Sequence, residues 1–132
     1  MIYVLDASAV VDLLVRSDAG EQARRLLAAE PDAALMTVAH LDAEVFSGLA
    51  RSQRAGQLDA EEVSELLARL ASLPATRLPI TRELLETAWG MRDDVVARDA
   101  LYVAAAKGLR APLVTTDERL ARAVPEVCVP LA

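Results

Sequence analysis

The sequence has one cysteine, one histidine, few aromatic residues and no long apolar run. Cys128 has no partner for an internal disulfide, and a single cysteine cannot build a cysteine-based zinc site. Aromatic residues make up 3% of the chain against a hydrophobic fraction of 54%, so we expect a core built mainly from Ala, Leu and Val. These shortages exclude a disulfide scaffold and fit a reducing compartment.

Segments that would direct the chain to a membrane are also missing. No apolar stretch approaches the roughly 18 residues that cross a bilayer, and residues 1–6 carry no basic segment of the kind that opens a signal peptide. We therefore expect a cytoplasmic protein without membrane contacts. The length of 132 residues predicts a single domain, residues 1–132, with a core of its own.

The chain lacks a basic excess. It has 20 acidic residues against 14 Lys and Arg, which gives a formal net charge of −6. Nucleic-acid-binding domains usually present a basic patch, so charge alone argues against binding to RNA or DNA.

Short apolar segments alternate with helical patterns along the chain. The predicted strands are 2–5, 34–38, about 77–78, 112–115 and 127–129. The predicted helices are 9–14, 19–30, 40–54, 59–73, 81–89, 98–108 and 117–123. Asp59 and Thr81 are predicted helix caps, and Gly108 is the predicted glycine after the end of its helix. All-apolar strands that alternate with helices indicate an α/β fold with a parallel sheet covered on both faces.

Three aspartates fall at informative places in this pattern. Asp6 and Asp117 directly follow predicted strands, at the sheet edge where parallel α/β proteins bind ligands. Each also fits the simpler role of a helix N-cap. Asp99 shares an apolar helix face with Tyr102 and Ala106, where an unpaired charge would be costly.

Glu44 flanks the apolar stripe of its own helix, although an exposed helical glutamate fits equally well. Four acids gathered at one sheet edge would repel one another without a counter-ion. Mg²⁺ and Mn²⁺ prefer oxygen ligands, so such a cluster points to divalent-metal catalysis of phosphoryl transfer. His40 lies four residues before Glu44 and could share its helix face, but no second histidine completes a metal-binding pattern.

Several neighbouring residues admit a functional and a plain structural interpretation. Ser8 and Thr115 each lie two residues from one of these acids, so they either hydrogen-bond a carboxylate or are ordinary turn hydroxyls. Asp12 is expected to be solvated or to cap a helix. Trp89 and Tyr102 are expected to be core aromatics.

Four segments together resemble PIN-domain ribonucleases, specifically the VapC-type toxins of bacterial toxin–antitoxin modules. In chain order they are VLDASA at 4–9, LDAEV at 41–45, DALYVAAA at 99–106 and LVTTDERL at 113–120. The resemblance covers essentially the whole chain. It implies a PIN-like three-layer α/β domain whose central parallel sheet has about five strands, in the order 3-2-1-4-5, flanked by helices.

The resemblance also implies a Mg²⁺-dependent endoribonuclease in which Mn²⁺ substitutes. The acidic quartet of the family maps to Asp6, Glu44, Asp99 and Asp117 as the catalytic and metal-binding residues. In our hypothesis Asp6, Asp99 and Asp117 hold the metal while Glu44 orients or deprotonates the attacking water. Without these four carboxylates the net charge of −6 would be −2, so that bound metal rather than a basic patch would bring RNA to the site.

VapC-type toxins are typically dimers that a small antitoxin inhibits, which implies a homodimer, a VapB-like antitoxin and an RNA substrate as partners. The predicted helical hairpin 40–73 offers apolar surface suited to a partner helix. Arg98 and Arg119 are the arginines nearest the quartet in sequence and could bind phosphates. One alternative stays open, which is a catalytically silent PIN-like interaction module.

Overall fold

The computed structural model describes residues 1–131. Four strands form one parallel sheet in the order β3-β2-β1-β4: β1 (Ile2–Leu5), β2 (Ala34–Val38), β3 (Ala75–Leu78) and β4 (Leu113–Val114). β1 lies between β2 and β4, and its last residue Leu5 pairs with Val114, the last residue of β4. The chain therefore leaves both strands side by side at the carboxyl edge of the sheet.

The predicted fifth strand at 127–129 is reduced to one bridge, in which Cys128 pairs in parallel with Leu113. Two features limit this ladder. β4 has only two residues, and Pro130 cannot donate a backbone hydrogen bond. Among residues 1–131 the sheet thus has four strands in the order 3-2-1-4, instead of about five in the order 3-2-1-4-5.

Helices flank the sheet: α1 (Ala7–Val15), α2 (Asp18–Ala28), α3 (Leu41–Arg54), α4 (Ala60–Ala71), α5 (Arg82–Gly90), α6 (Ala97–Leu109) and α7 (Glu118–Ala123). α6 packs on β1, β2 and β4, and α5 packs on α6. Two predicted caps are confirmed, because Asp59 forms a capping box with Glu62 and Thr81 accepts a hydrogen bond from Leu84 N. None of the helices within 1–131 is both long and apolar enough to cross a membrane.

The prediction that Gly108 ends its helix is wrong. α6 continues through Gly108 to Leu109, and Arg110 takes the left-handed cap conformation with φ 53°. The Arg110 N–H bonds to the carbonyl of Lys107, and Ala111 N–H bonds to that of Ala106. These bonds satisfy the last carbonyls of α6, which offsets the strain of a positive φ at a non-glycine residue.

The core contains mainly aliphatic side chains, as the composition predicts, with Tyr102 among its largest fully buried members. The expectation for Trp89 is wrong: its side chain is 69% exposed, and the Arg92 guanidinium lies 4.9 Å from the ring centroid. α1 and α2 approach so closely that a Cβ on Gly20 would lie 1.9 Å from the Asp12 carbonyl oxygen. Glycine is therefore required at this crossing.

Arg77 fixes the predicted helical hairpin, α3 and α4, against the sheet. Its guanidinium donates two hydrogen bonds to the Asp42 carboxylate, at 3.1 and 2.9 Å. It also donates to the carbonyl of Leu70 in the last turn of α4 and to that of Leu73 just after the helix. One side chain on β3 thereby joins the start of α3 to the end of α4. These hydrogen bonds hold α3, the helix that carries Glu44, in a fixed place beside the sheet.

Candidate active site

A cleft of about 570 Å³ opens at the carboxyl edge of the sheet. Its lining includes all four predicted acids, from four separate segments of the chain: Asp6, Glu44, Asp99 and Asp117. Ser8 and Arg98 of the predicted set also line it, and the lining residues without a predicted role there include Asp12, Arg51 and Tyr102. The fold thus brings together in space residues that are more than 100 positions apart in sequence.

Asp6 is 2% exposed and caps α1 directly after β1. Its Oδ1 accepts hydrogen bonds from Ala9 N at 2.9 Å and from Ser8 Oγ at 2.8 Å, and its Oδ2 accepts one from Thr115 Oγ1. Burial raises the pKa of Asp6 to about 6, against the opposing effect of these hydrogen bonds and with a further increase from the Asp99 charge. Asp6 thus both caps α1 and lines the cleft, so the two interpretations of this residue do not exclude each other.

The segment after β4 connects Asp117 to the same network. Thr115 Oγ1 accepts a hydrogen bond from Asp117 N at 3.1 Å, and the Asp117 carboxylate caps α7 by accepting from Arg119 N and Leu120 N. Asp12, expected to be solvated or a cap, instead accepts a hydrogen bond from Thr116 Oγ1 and lines the cleft. The β4 end is thus tied to α1 by side-chain hydroxyls.

Asp99 lies in the first turn of α6 and is half-buried. Burial raises its pKa, and the Asp117 and Glu44 carboxylates raise it further, while Arg98 and Arg119 act in the opposite direction. The carboxylates therefore interact electrostatically even where they do not touch. A bound cation would relieve this repulsion.

Glu44 is held by two aromatic side chains. Tyr102 Oη donates a hydrogen bond to Glu44 Oε1 at 2.8 Å, and His40 Nε2 lies 2.8 Å from the same oxygen. Burial, together with the hydrogen bond to Glu44, raises the pKa of Tyr102 well above its ordinary value, so its hydroxyl stays protonated. The prediction that Tyr102 is a core aromatic is confirmed for its ring, but the sequence pattern did not reveal its contact with Glu44.

The arginines around the cleft differ in their partners. Arg119 lies outside the lining, with its Nε 3.9 Å from Asp117 Oδ1. Arg98 and Arg51 line the cleft, and within residues 1–131 neither has a carboxylate within 4.0 Å. Arg51 lies seven residues after Glu44 on α3, a two-turn spacing that puts both on one helix face. This seven-residue spacing from Glu44 is visible in the sequence and could have identified Arg51 as a residue of the site.

The donor set of this cleft fits a hard divalent cation. Carboxylates and hydroxyls are the ligands that Mg²⁺ and Mn²⁺ prefer, and burial leaves Asp6 and Asp99 with raised pKa values that a cation would lower. Within residues 1–131 no three Asp, Glu, His or Cys side chains are arranged closely enough to hold a metal ion.

Comparison with known proteins gives a family for the chain. A family model described as PIN domain matches residues 3–124. Ribonuclease VapC3 of Mycobacterium tuberculosis is 48% identical over 123 residues, which cover 92% of this chain and 87% of that protein. Ribonuclease VapC1 of the same species is 39% identical over 121 residues, which cover 91% of this chain and 89% of that protein.

Solved structures share the fold at lower sequence identity. The VapBC2 structure of Rickettsia felis, bound to a DNA fragment from its promoter, matches with a TM-score of 0.70 at 18% identity over 98% of both chains. VapC20 of Mycobacterium tuberculosis, a toxin that cleaves the sarcin-ricin loop, matches with a TM-score of 0.70 at 20% identity over 98% of this chain and 97% of that one. By its family model and its 48% identical relative, the chain belongs to the PIN-domain family and, within it, to the VapC ribonucleases.

Proposed function

We propose that this protein is a Mg²⁺- or Mn²⁺-dependent endoribonuclease and the toxin of a toxin–antitoxin pair. The observation that carries the proposal is the convergence of Asp6, Glu44, Asp99 and Asp117 in one cleft that Arg51 and Arg98 also line. Relatives at 39% and 48% identity are named ribonucleases, which supports the same activity.

In this proposal Asp6, Asp99 and Asp117 hold the metal, which when bound supplies positive charge to the phosphate oxygens. Glu44 orients the attacking water and accepts its proton as the new P–O bond forms. The scissile P–O bond breaks, and the leaving sugar oxygen takes up a proton from solvent. Ser8 and Thr115 hold the Asp6 carboxylate by hydrogen bonds to both of its oxygens, so that it enters the site with a fixed orientation.

The proposal is tested by incubating an end-labelled RNA with the purified protein in Mg²⁺, in Mn²⁺ and in EDTA. We expect internal cleavage with either cation and none in EDTA. Cleavage that persists in EDTA would contradict the metal-dependent mechanism. If neither the labelled RNA nor total cellular RNA incubated in parallel is cleaved under any of these conditions, the result would favour the alternative, a catalytically silent interaction module.

Arg51 is expected to bind RNA phosphate. Among residues 1–131 no carboxylate lies within 4.0 Å of Arg51, so its replacement would remove a charge-assisted hydrogen bond to phosphate without breaking an ion pair in the cleft. We expect Arg51→Gln to raise KM for RNA about tenfold, the equivalent of about 1.4 kcal/mol, with kcat nearly unchanged. Arg54→Gln, the same change on the same helix outside the cleft lining, is the matched control. Equal KM values for the two variants would contradict the assignment.

The predicted antitoxin surface corresponds to a shallow apolar groove between α3 and α4. Its lining includes Phe46, Leu67 and Leu70, and Phe46 is 56% exposed. An exposed phenylalanine beside a groove is typical of a surface that receives an apolar side chain from a partner helix. We propose that a VapB-like antitoxin places a helix here, consistent with the toxin–antitoxin structures that share this fold.

Phe46→Asp tests this groove. We expect affinity for a VapB-like antitoxin to fall at least about 30-fold, because a buried aromatic contact is replaced by a desolvated charge. RNA cleavage should be unchanged, since Phe46 does not line the cleft. Ile80→Asp, at an exposed apolar residue outside this groove, is the control. Wild-type antitoxin affinity in Phe46→Asp would contradict the assignment.

A second exposed apolar patch supports the expected homodimer. It consists of Leu85 and Trp89, which lie one helical turn apart on α5 and have exposed fractions of 52% and 69%. It lies apart from the residues that line the α3–α4 groove, so one chain has separate surfaces for a second copy of itself and for an antitoxin. We propose that this patch is covered in the dimer.

A further inference from the structure

His40 occupies the N-cap position of α3 but makes no side-chain capping hydrogen bond. Ser, Thr, Asp or Asn at that position would typically stabilise the helix by about 1 kcal/mol. α3 lacks this stabilisation because His40 makes no capping hydrogen bond. Its imidazole turns instead toward Glu44, four residues later, and places Nε2 2.8 Å from Oε1. A residue that is unfavourable as a cap and lies beside the Glu44 carboxylate indicates that the His40 side chain has a function other than helix capping.

Tyr102 reaches the same Glu44 oxygen from α6. Its hydroxyl donates to Oε1 at 2.8 Å, and its ring is 1% exposed, so the side chain cannot turn away. The His40 and Tyr102 rings contact each other, with centroids 4.8 Å apart and planes inclined by 31°. Two packed rings from different helices therefore meet one carboxylate oxygen.

The arrangement distinguishes the two oxygens of Glu44. Both contacts go to Oε1, whereas no hydrogen bond within residues 1–131 goes to Oε2. The other imidazole nitrogen, His40 Nδ1, is buried without a hydrogen-bond partner. A proton on Nε2 faces the carboxylate oxygen 2.8 Å away, whereas a proton on Nδ1 would bury an unpaired N–H and leave two acceptors facing each other.

We propose that His40, as the Nε2–H tautomer, and Tyr102 are positioning residues that hold Glu44 Oε1 and leave Oε2 for the attacking water. This inference rests on the proposed function, in which Glu44 takes the proton of that water. Neither residue contacts the RNA or the metal in this account. Each acts by restricting the rotamers of Glu44, so its loss should lower kcat more than it changes KM.

The kinetic test uses Tyr102→Phe and His40→Ala with Tyr3→Phe, the same change at the only other tyrosine, as the control. We expect kcat to fall roughly tenfold in each site variant, with KM within about twofold and with unchanged folding by circular dichroism. His40→Gln, whose amide N–H can replace Nε2–H, should recover most of the rate. In a Glu44→Gln background Tyr102→Phe should have no further effect, because the two residues act through one carboxylate.

A metal-free readout separates this inference from the proposed function. His40 is the only histidine, so ¹⁵N-histidine labelling gives one imidazole whose tautomer NMR reads directly. We expect the Nε2–H form at pH 8, with both nitrogen shifts moving in Glu44→Gln. An Nδ1–H tautomer, or wild-type kcat in both Tyr102→Phe and His40→Ala, would overturn the positioning role. A wild type without metal-dependent cleavage would overturn the proposed function, whatever the tautomer.

Discussion

Asp99→Asn should lower the rate of RNA cleavage at least about 100-fold in Mg²⁺ or Mn²⁺. The substitution keeps the size of the side chain but removes the negative charge through which Asp99 would bind the proposed metal ion. Asp99 interacts electrostatically with Asp117 and Glu44, so it belongs to the same charged cluster as the other acids. The rate is measured on a labelled RNA at saturating metal, with the fold checked by circular dichroism.

Asp93→Asn is the matched control for this experiment. Asp93 is exposed in the turn before α6 and lies outside the cleft lining, so the same change there should leave cleavage at the wild-type rate. Equal rates for Asp99→Asn and wild type would remove Asp99 from the catalytic set. A fall of the same size in Asp93→Asn would show that the loss comes from the net charge of the protein, not from the cleft.

The stability of the metal-free protein should fall as pH rises through the range in which Asp6 ionises. The folded state raises the Asp6 pKa from 3.8 to about 6, so it binds a proton more tightly than the unfolded chain does. The stabilisation is complete below pH 4 and is lost as pH rises past 6. A shift of this size corresponds to about 3 kcal/mol of unfolding free energy.

Asp6→Asn isolates this contribution, because asparagine has no charge to lose. In EDTA, denaturant unfolding should show wild type losing about 3 kcal/mol relative to Asp6→Asn between pH 4 and pH 7. Asp32→Asn, at an exposed aspartate, should keep a constant difference from wild type. If Asp6→Asn also keeps a constant difference, the buried Asp6 carboxylate does not oppose folding.

The parts of the site that depend on strand ends were predictable from the sequence. Apolar strands that alternate with helices require parallel pairing, and the ends of neighbouring parallel strands meet at one edge. That rule alone brings Asp6 next to Thr115, since Leu5 pairs with Val114. The N-caps at Asp59 and Thr81 were equally accessible, because capping depends on residues within one turn.

The parts that depend on contacts between distant helices were not predictable from local patterns. Tyr102 and Glu44 are 58 residues apart, and their hydrogen bond exists only because α3 and α6 meet at the sheet edge. Trp89 was misplaced because a large aromatic side chain favours burial, whereas α5 leaves it on the surface. Nearness in sequence also favoured Arg119, which points outside the cleft lining, over Arg51, which lines it.

Direct titration of the protein with Mn²⁺ tests the central claim, that the converging carboxylates form a metal centre. Calorimetry at pH 7.5 should show saturable binding to wild type and at least about tenfold weaker binding to Asp6→Asn and to Asp99→Asn. Asp93→Asn should bind as wild type does. Absence of Mn²⁺ binding to wild type, or equal affinity in all four proteins, would contradict the account.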